Sequence, residues 1–194
     1  MADNSTADVS NVKGVLGGYG YSAPIGTSLP TDSSPFATLN QAFDNMGFIS
    51  SDGIEESIDT DTDNVTDLSG DVIYVIKSSE TETLVLTLVS VTVPALKEMH
   101  GHSNVTQKTG FVEVKHTIKE HDQRSYVFDL LLKDGRKLRK VVPNGIVSEV
   151  GSITYVSSEV YGREITITCM PDASGVRTYD YIADAATTTT TTGA

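Results

Sequence analysis

Three aspartates at alternate positions, Asp59, Asp61 and Asp63, have the residue type and spacing to do chemistry. Alternate acids open the loop that wraps a calcium ion, where their carboxylates supply the first ligands. The remainder of such a loop is missing. Asn64 stands where the sharp turn needs glycine, and Gly70 stands where a bidentate glutamate should close the shell. A solvated acidic stretch is the plainer reading, and these residues favour it. The histidines, His100, His102, His116 and His121, have no cysteine beside them and no His-Glu-x-x-His spacing, so a zinc site lacks its pattern. No Gly-x-Ser-x-Gly elbow is present. The single cysteine, Cys169, falls in an alternating strand pattern and reads as a small buried hydrophobe. Gly17-Gly18-Tyr19-Gly20 has no preceding strand and no closing Gly-Lys-Ser/Thr, so it is not a phosphate loop. Neither a catalytic residue, a metal nor a cofactor is expected.

Charge is the stronger signal. From Asp52 to Asp71 the chain carries Asp52, Glu55, Glu56, Asp59, Asp61, Asp63, Asp67 and Asp71, with Leu68 among them and no Lys or Arg. Like charges at this density repel, so 52–71 is expected to be a long acidic loop that awaits a partner. Lys133, Arg136, Lys137, Arg139 and Lys140 cluster within eight residues against Asp134 alone. Three readings fit that run: a nucleic-acid patch, a solvated hairpin that protects a sheet edge, or a complement to the acidic loop of another copy. Protection suits most of these side chains, and self-association suits the rest better than nucleic acid. Residues 1–94 hold 14 acids against Lys13 and Lys77, whereas residues 95–194 hold 12 acids and 12 bases. The whole net charge of −12 therefore resides in the first half. Gripping phosphate needs clustered cations, so such a chain should repel nucleic acid rather than bind it.

The elements around these runs are mostly strands. Residues 1–46 are rich in Gly, Ser, Thr, Pro and Asp, sustain no period, and read as an extended arm. Ser51-Asp52-Gly53 signals a tight hairpin between Phe48–Ser50 and Ile54–Glu56. In Val72–Ile76 every residue is apolar, which predicts a strand covered on both faces. Thr83–Val89 alternates, with Leu84, Leu86 and Leu88 on one side. Pro94 opens a short helix that Gly101 ends. Strands are expected again at 111–118, 125–132, 137–142, 153–156, 163–169 and 176–182. Lys133-Asp134-Gly135-Arg136 turns one hairpin and Pro143-Asn144-Gly145 turns the chain once more. Thr187–Thr192, within 185–194, is expected to be a disordered tail. Together these predict a mainly β chain: two packed antiparallel sheets, a sandwich or partial barrel, with one short flanking helix, spanning 47–184. The 194 residues suit one domain. The first residues lack the basic and apolar runs of a signal peptide, and no segment is apolar enough to cross a membrane.

An ordered series of motifs resembles the major tail tube protein of long-tailed bacteriophages. It starts with Gly47-Phe48-Ile49-Ser50-Ser51-Asp52-Gly53-Ile54 and Asp67-Leu68-Ser69-Gly70-Asp71-Val72. It runs through the strands at 72–77 and 83–89 and closes with Pro94-Ala95-Leu96-Lys97-Glu98-Met99-His100-Gly101. Leu68 stands where relatives often carry Trp. The resemblance implies a structural virion protein with no catalytic role. Six copies would form a ring, and rings would stack into a hollow tail tube enclosing a tape measure protein and passing DNA without holding it. The loop at Asp52, Glu55, Glu56, Asp59, Asp61, Asp63, Asp67 and Leu68 would reach the next ring, in a tail of the non-contractile type made in the host cytoplasm. A different class also fits the composition: a β-sandwich module for carbohydrate or cell-surface binding, stabilised by calcium at Asp59, Asp61 and Asp63. The absence of tryptophan counts against it, and the eight tyrosines count for it.

Overall fold

A computed structural model describes residues 9–184. The expected tail at 185–194 lies outside the described residues. In chain order the elements are β1 (Val12–Gly14), β2 (Gly20–Pro24), β3 (Asp44–Asn45), β4 (Ile49–Thr66), β5 (Val72–Leu88), α1 (Val93–His100), β6 (Val105–Lys108), β7 (Phe111–Val114), β8 (Arg124–Leu132), β9 (Lys137–Val150), β10 (Arg163–Met170) and β11 (Tyr179–Ile182). Nine strands form one antiparallel sheet in the order β3-β2-β8-β9-β10-β5-β4, with β1 added to β8 and β11 to β9. β6 and β7 form a second, two-stranded sheet. The fold is thus mainly β, with a large sheet, a small sheet and one α-helix among the described residues.

The large sheet must curl. β3 and β4 occupy its two ends, yet only residues 46–48 separate them in the chain. Four peptide steps reach at most about 14 Å, so the two ends face each other as the lips of a partial barrel. Inside lies the main core, where Leu84, Leu86 and Leu88 of β5 meet Tyr126 and Phe128 of β8 and Ile165 and Ile167 of β10. Ala95, Leu96 and Met99 of α1 join this core, with Val112 and Val114 of β7 beside it. The opposite face buries Val127 and Val141 under Ala23 and Phe43. The helix has the ends its sequence predicts, with Pro94 in the first turn and Gly101 ending it at φ +90°; the structure adds a cap, the Thr92 side chain accepting from Ala95 N–H.

Several sequence expectations are corrected. The acidic segment is no loop. Residues up to Thr66 form β4, laddered to β5 from Ile54↔Leu86 to Thr66↔Val72. Repulsion fails to prevent this because of the cross-strand partners: Asp59 faces Thr81, Asp61 faces Ser79 and Asp63 faces Ile76, so no acid of β4 stands directly opposite an acid of β5. The interleaved Thr60, Thr62, Val65 and Thr66 favour the strand. Ser51-Asp52-Gly53 makes no hairpin either. It forms a bulge within β4, where Gly53 adopts φ +86° and the register shifts between Ile49 and Ile54. Val72–Ile76, expected to be covered on both faces, is exposed throughout. Pro143-Asn144-Gly145 does not turn the chain; β9 runs through it. Pro143 falls in a gap of the β8 register between Val142 and Gly145 and, on the other edge, between the end of β11 pairing at Val141 and the start of β10 pairing at Asn144, so its missing N–H costs no ladder bond. Residues 151–162 hold no strand, and β7 ends at Val114. Of the segment 1–46, residues 12–14, 20–24 and 44–45 pair into the large sheet.

Candidate functional site

The feature that nothing among the described residues accounts for is the outer part of the β4–β5 hairpin. β10 accompanies β5 only as far as Glu82. Beyond that point, among the described residues, Asp59–Thr66 and Val72–Thr81 pair with each other alone, a ribbon reaching about 30 Å past the sheet at a strand's rise per residue. Asp59, Asp61 and Asp63 share one of its faces. Alternate strand residues stand about 7 Å apart, so these carboxylates make a row rather than a cage around one ion. Ser79 donates to Asp61 Oδ2 at 2.7 Å. Opposite the acidic strand, Val72, Ile73, Tyr74, Val75 and Ile76 are 45–65 % exposed. A two-stranded ribbon is marginal in water by itself, and apolar strands left bare mark an interaction surface. The tip is well formed. Asp67 Oδ1 accepts the amides of Ser69 and Asp71 at 2.8 and 2.9 Å, Gly70 takes φ +90°, and Leu68 projects fully into solvent.

The structure divides the other acids. Asp52 sits in the exposed bulge and Glu55 on the exposed outer strand at its root. Glu56, also exposed, is engaged within the chain, its Oε1 meeting Lys140 Nζ at 2.9 Å. Lys140 also meets Asp180 at 2.8 Å. Burial pulls the Lys140 ammonium down, but hydrogen bonds and charge from Asp180 and Glu56 outweigh it and the pKa is raised.

The basic run divides likewise. Arg139 is buried; it grips Asp129 through two nitrogens at 2.5 and 2.8 Å and donates to the carbonyls of Pro35 and Ala37. Arg136 pairs with Asp134 in its own turn at 2.5 Å. Lys133 and Lys137 are exposed and make no ion pair among the described residues. Lys13, which lies far from this run in sequence, joins them: the register Lys13↔Leu131↔Lys137 sets both lysines on one face. No local signal could have revealed this, because it depends on β1 pairing with β8.

A second feature missed by sequence reasoning is a cleft of about 500 Å³ at the seam of the curled sheet. Its walls include Val12, Val15 and Leu16 on one lip, Phe48 and Ile54 on the other, and Leu130 below. Tyr19 ties the lips together, accepting from Ile49 N–H at 2.8 Å and donating to Ile49 O at 3.3 Å.

The histidines surround a buried polar knot. Glu98 of α1 receives Ser22 Oγ at 2.6 Å, His102 Nε2 at 2.8 Å and Tyr126 O–H at 3.2 Å, with Arg124 Nε at 3.2 Å. Burial pushes the Glu98 carboxyl up, but His102, Ser22 and Arg124 together hold it below its ordinary value. His100 is depressed to about 4, first by burial and then by the charges of Arg163, His116 and His121. These contacts fasten α1 to the sheet. Among the described residues no three of His, Cys, Asp or Glu are arranged to hold a metal. Cys169 is buried and its thiol is pushed up to about 12.

Comparison with known proteins adds a family. The family model described as phage tail tube protein matches residues 5–193. Among solved structures, the chain is similar to the anti-feeding prophage cap, a tube-terminating cap, at 14 % identity and a TM-score of 0.45 over 92 % of this chain and 98 % of that one. It is also similar to a chain of an extracellular contractile injection system sheath–tube complex in the extended state, at 9 % identity and a TM-score of 0.46 over 93 % of this chain and 100 % of that one. No curated protein matches.

Proposed function

Because the chain belongs to the phage tail tube protein family, we propose that it is the repeating structural subunit of a tail tube, a virion component that works by assembling rather than by catalysis. The observation that carries this reading is the β4–β5 hairpin, a projecting ribbon with one acidic strand and one bare apolar strand. In our reading six copies close into a ring and rings stack into a hollow tube, with a tape measure protein in the lumen. The hairpin reaches the next ring, and such a head-to-tail contact needs two different, complementary surfaces on each subunit. The hairpin acids Asp52, Glu55, Asp59, Asp61, Asp63 and Asp67, with Leu68, provide one. Lys133 and Lys137, joined by Lys13, provide the other; Glu56, Arg139 and Lys140 are engaged within the chain and support these surfaces from behind. Six-fold closure, the tape measure partner, synthesis in the host cytoplasm and a non-contractile tail rest on the sequence resemblance. The net charge of −12 suits passage of DNA, since an acidic wall repels phosphate.

The test is negative-stain electron microscopy of the purified chain at high concentration. It is run beside a variant whose hairpin is cut back to the facing pair Ile58 and Glu82 and closed by a two-residue turn. The intact chain is expected to form rings or hollow tubes, and the shortened chain to remain a folded monomer. Normal tubes from the shortened chain would sink the hairpin's role.

A further inference from the structure

Resting on the reading of the hairpin as an assembly element, we propose that the seam cleft between β1 and the start of β4 receives the hairpin tip of a second copy, with Leu68 as its plug. The two surfaces match in chemistry. The cleft is walled by Val12, Val15, Leu16, Phe48 and Ile54, and among the described residues the single charged one that lines it is Lys13. The tip presents a fully exposed leucine between two carboxylates, Asp67 and Asp71. An apolar plug with acidic shoulders thus meets an apolar socket with a cationic lip, an arrangement that favours one docking register over others. The cavity, about 500 Å³, lies within the range of sites that enclose small ligands, so it has room for the leucine and part of its turn.

The occupant must come from another molecule. Ile54 forms part of the cleft wall and is also the root of the hairpin. From there a continuous ladder carries the chain to Thr66, about 40 Å away at a strand's rise per residue. A paired ribbon cannot fold back on its own root, so each copy holds socket and plug at opposite ends. That is a head-to-tail contact, which propagates without limit unless symmetry closes it.

The test places a cysteine on each side of the contact. Cys169 stays in place, since it is buried and its thiol is pushed up to about 12. Leu68 and Leu16 are both fully exposed, so L68C and L16C leave the core intact. The doubly substituted chain, oxidised mildly, is expected to give a ladder of covalent multimers. Peptide mapping should locate the disulfide between positions 68 and 16, at least tenfold more abundant than the cross-link from L68C combined with V160C, an exposed site away from the cleft. Tubes that form without the 68–16 link would overturn this docking and leave the tube reading standing. The link in a protein that never forms tubes would support the docking and overturn the tube reading. No link above the V160C control and no self-association would overturn both.

Discussion

At the scale of the residue, the five cations between Lys133 and Lys140 show how alike side chains take unlike work. Arg139 is 7 % exposed and satisfies Asp129 and two carbonyls of the 35–37 segment. Removing one member of a buried pair leaves the other charge uncompensated, at a cost of about 3–5 kcal/mol. Arg139→Ala should therefore lower the urea midpoint of the monomer strongly. Lys133→Glu with Lys137→Glu should leave that midpoint within about 0.5 kcal/mol. The same pair should raise the concentration needed for assembly about tenfold, equivalent to about 1.4 kcal/mol; an unchanged assembly threshold would remove these lysines from the interface. His100 gives a pH dependence of definite sign. Its folded value lies near 4 against 6.5 when free. Between those values the unfolded chain binds the proton and the folded chain does not, so stability falls as pH drops from 6.5 toward 4. His121, also depressed, adds to the fall, whereas the depressed carboxyls of Glu98, Glu80 and Glu113 act only below their ordinary value of 4.5. His100→Asn keeps an acceptor for Arg163 and removes the titration. Its urea midpoint at pH 5 should sit closer to that at pH 7 than the parent's does, and equal slopes for the two proteins would refute this account.

At the scale of the element, strand length and partner exchange decide the architecture. β9 spans 14 residues and serves β8 and β11 with its first half and β10 with its second. Gly145 stands at the exchange, where an added Cβ would lie 2.9 Å from Ile167 and 3.1 Å from Tyr126. Neither neighbour can retreat, because both are fully buried. Gly145→Ala should cost about 1–3 kcal/mol through overpacking, measured as a lowered melting temperature, and no loss would mean that β9 shifts freely there. The β4–β5 hairpin is the opposite case, an element that extends past its own core. Its root is held by Leu84 and Leu86, while its outer half is left bare.

At the scale of the whole molecule, an acidic subunit with exposed apolar strands has two ways to stay in solution. Its charge keeps isolated copies apart, and a specific assembly covers the apolar surface. Anything that binds only the folded state stabilises it by mass action. The melting temperature should thus rise with protein concentration for the intact chain and stay constant for the chain with the shortened hairpin. A constant value for both would argue against self-association.

The sequence by itself determined the strand-rich class, the helix opened by Pro94 and ended at Gly101, the Asp134-Gly135 hairpin and the buried alternation of Ile165, Ile167 and Cys169. Each rests on a local rule: a proline that opens a helix, a glycine that ends one, a turn residue or a period of two. It also marked 52–71 as the part of the chain that looks outward. Only the tertiary structure decided the form of that part. Whether six of these eight carboxylates can lie in a strand depends on what stands across the ladder, and that register is a property of two segments at once. The same holds for Arg139 and Lys140, whose partners Asp129, Glu56 and Asp180 lie on other strands. It holds for Lys13, which the pairing of β1 with β8 sets beside Lys137, and for the seam cleft, which exists because β3 and β4, three residues apart in the chain, stand at opposite ends of one sheet.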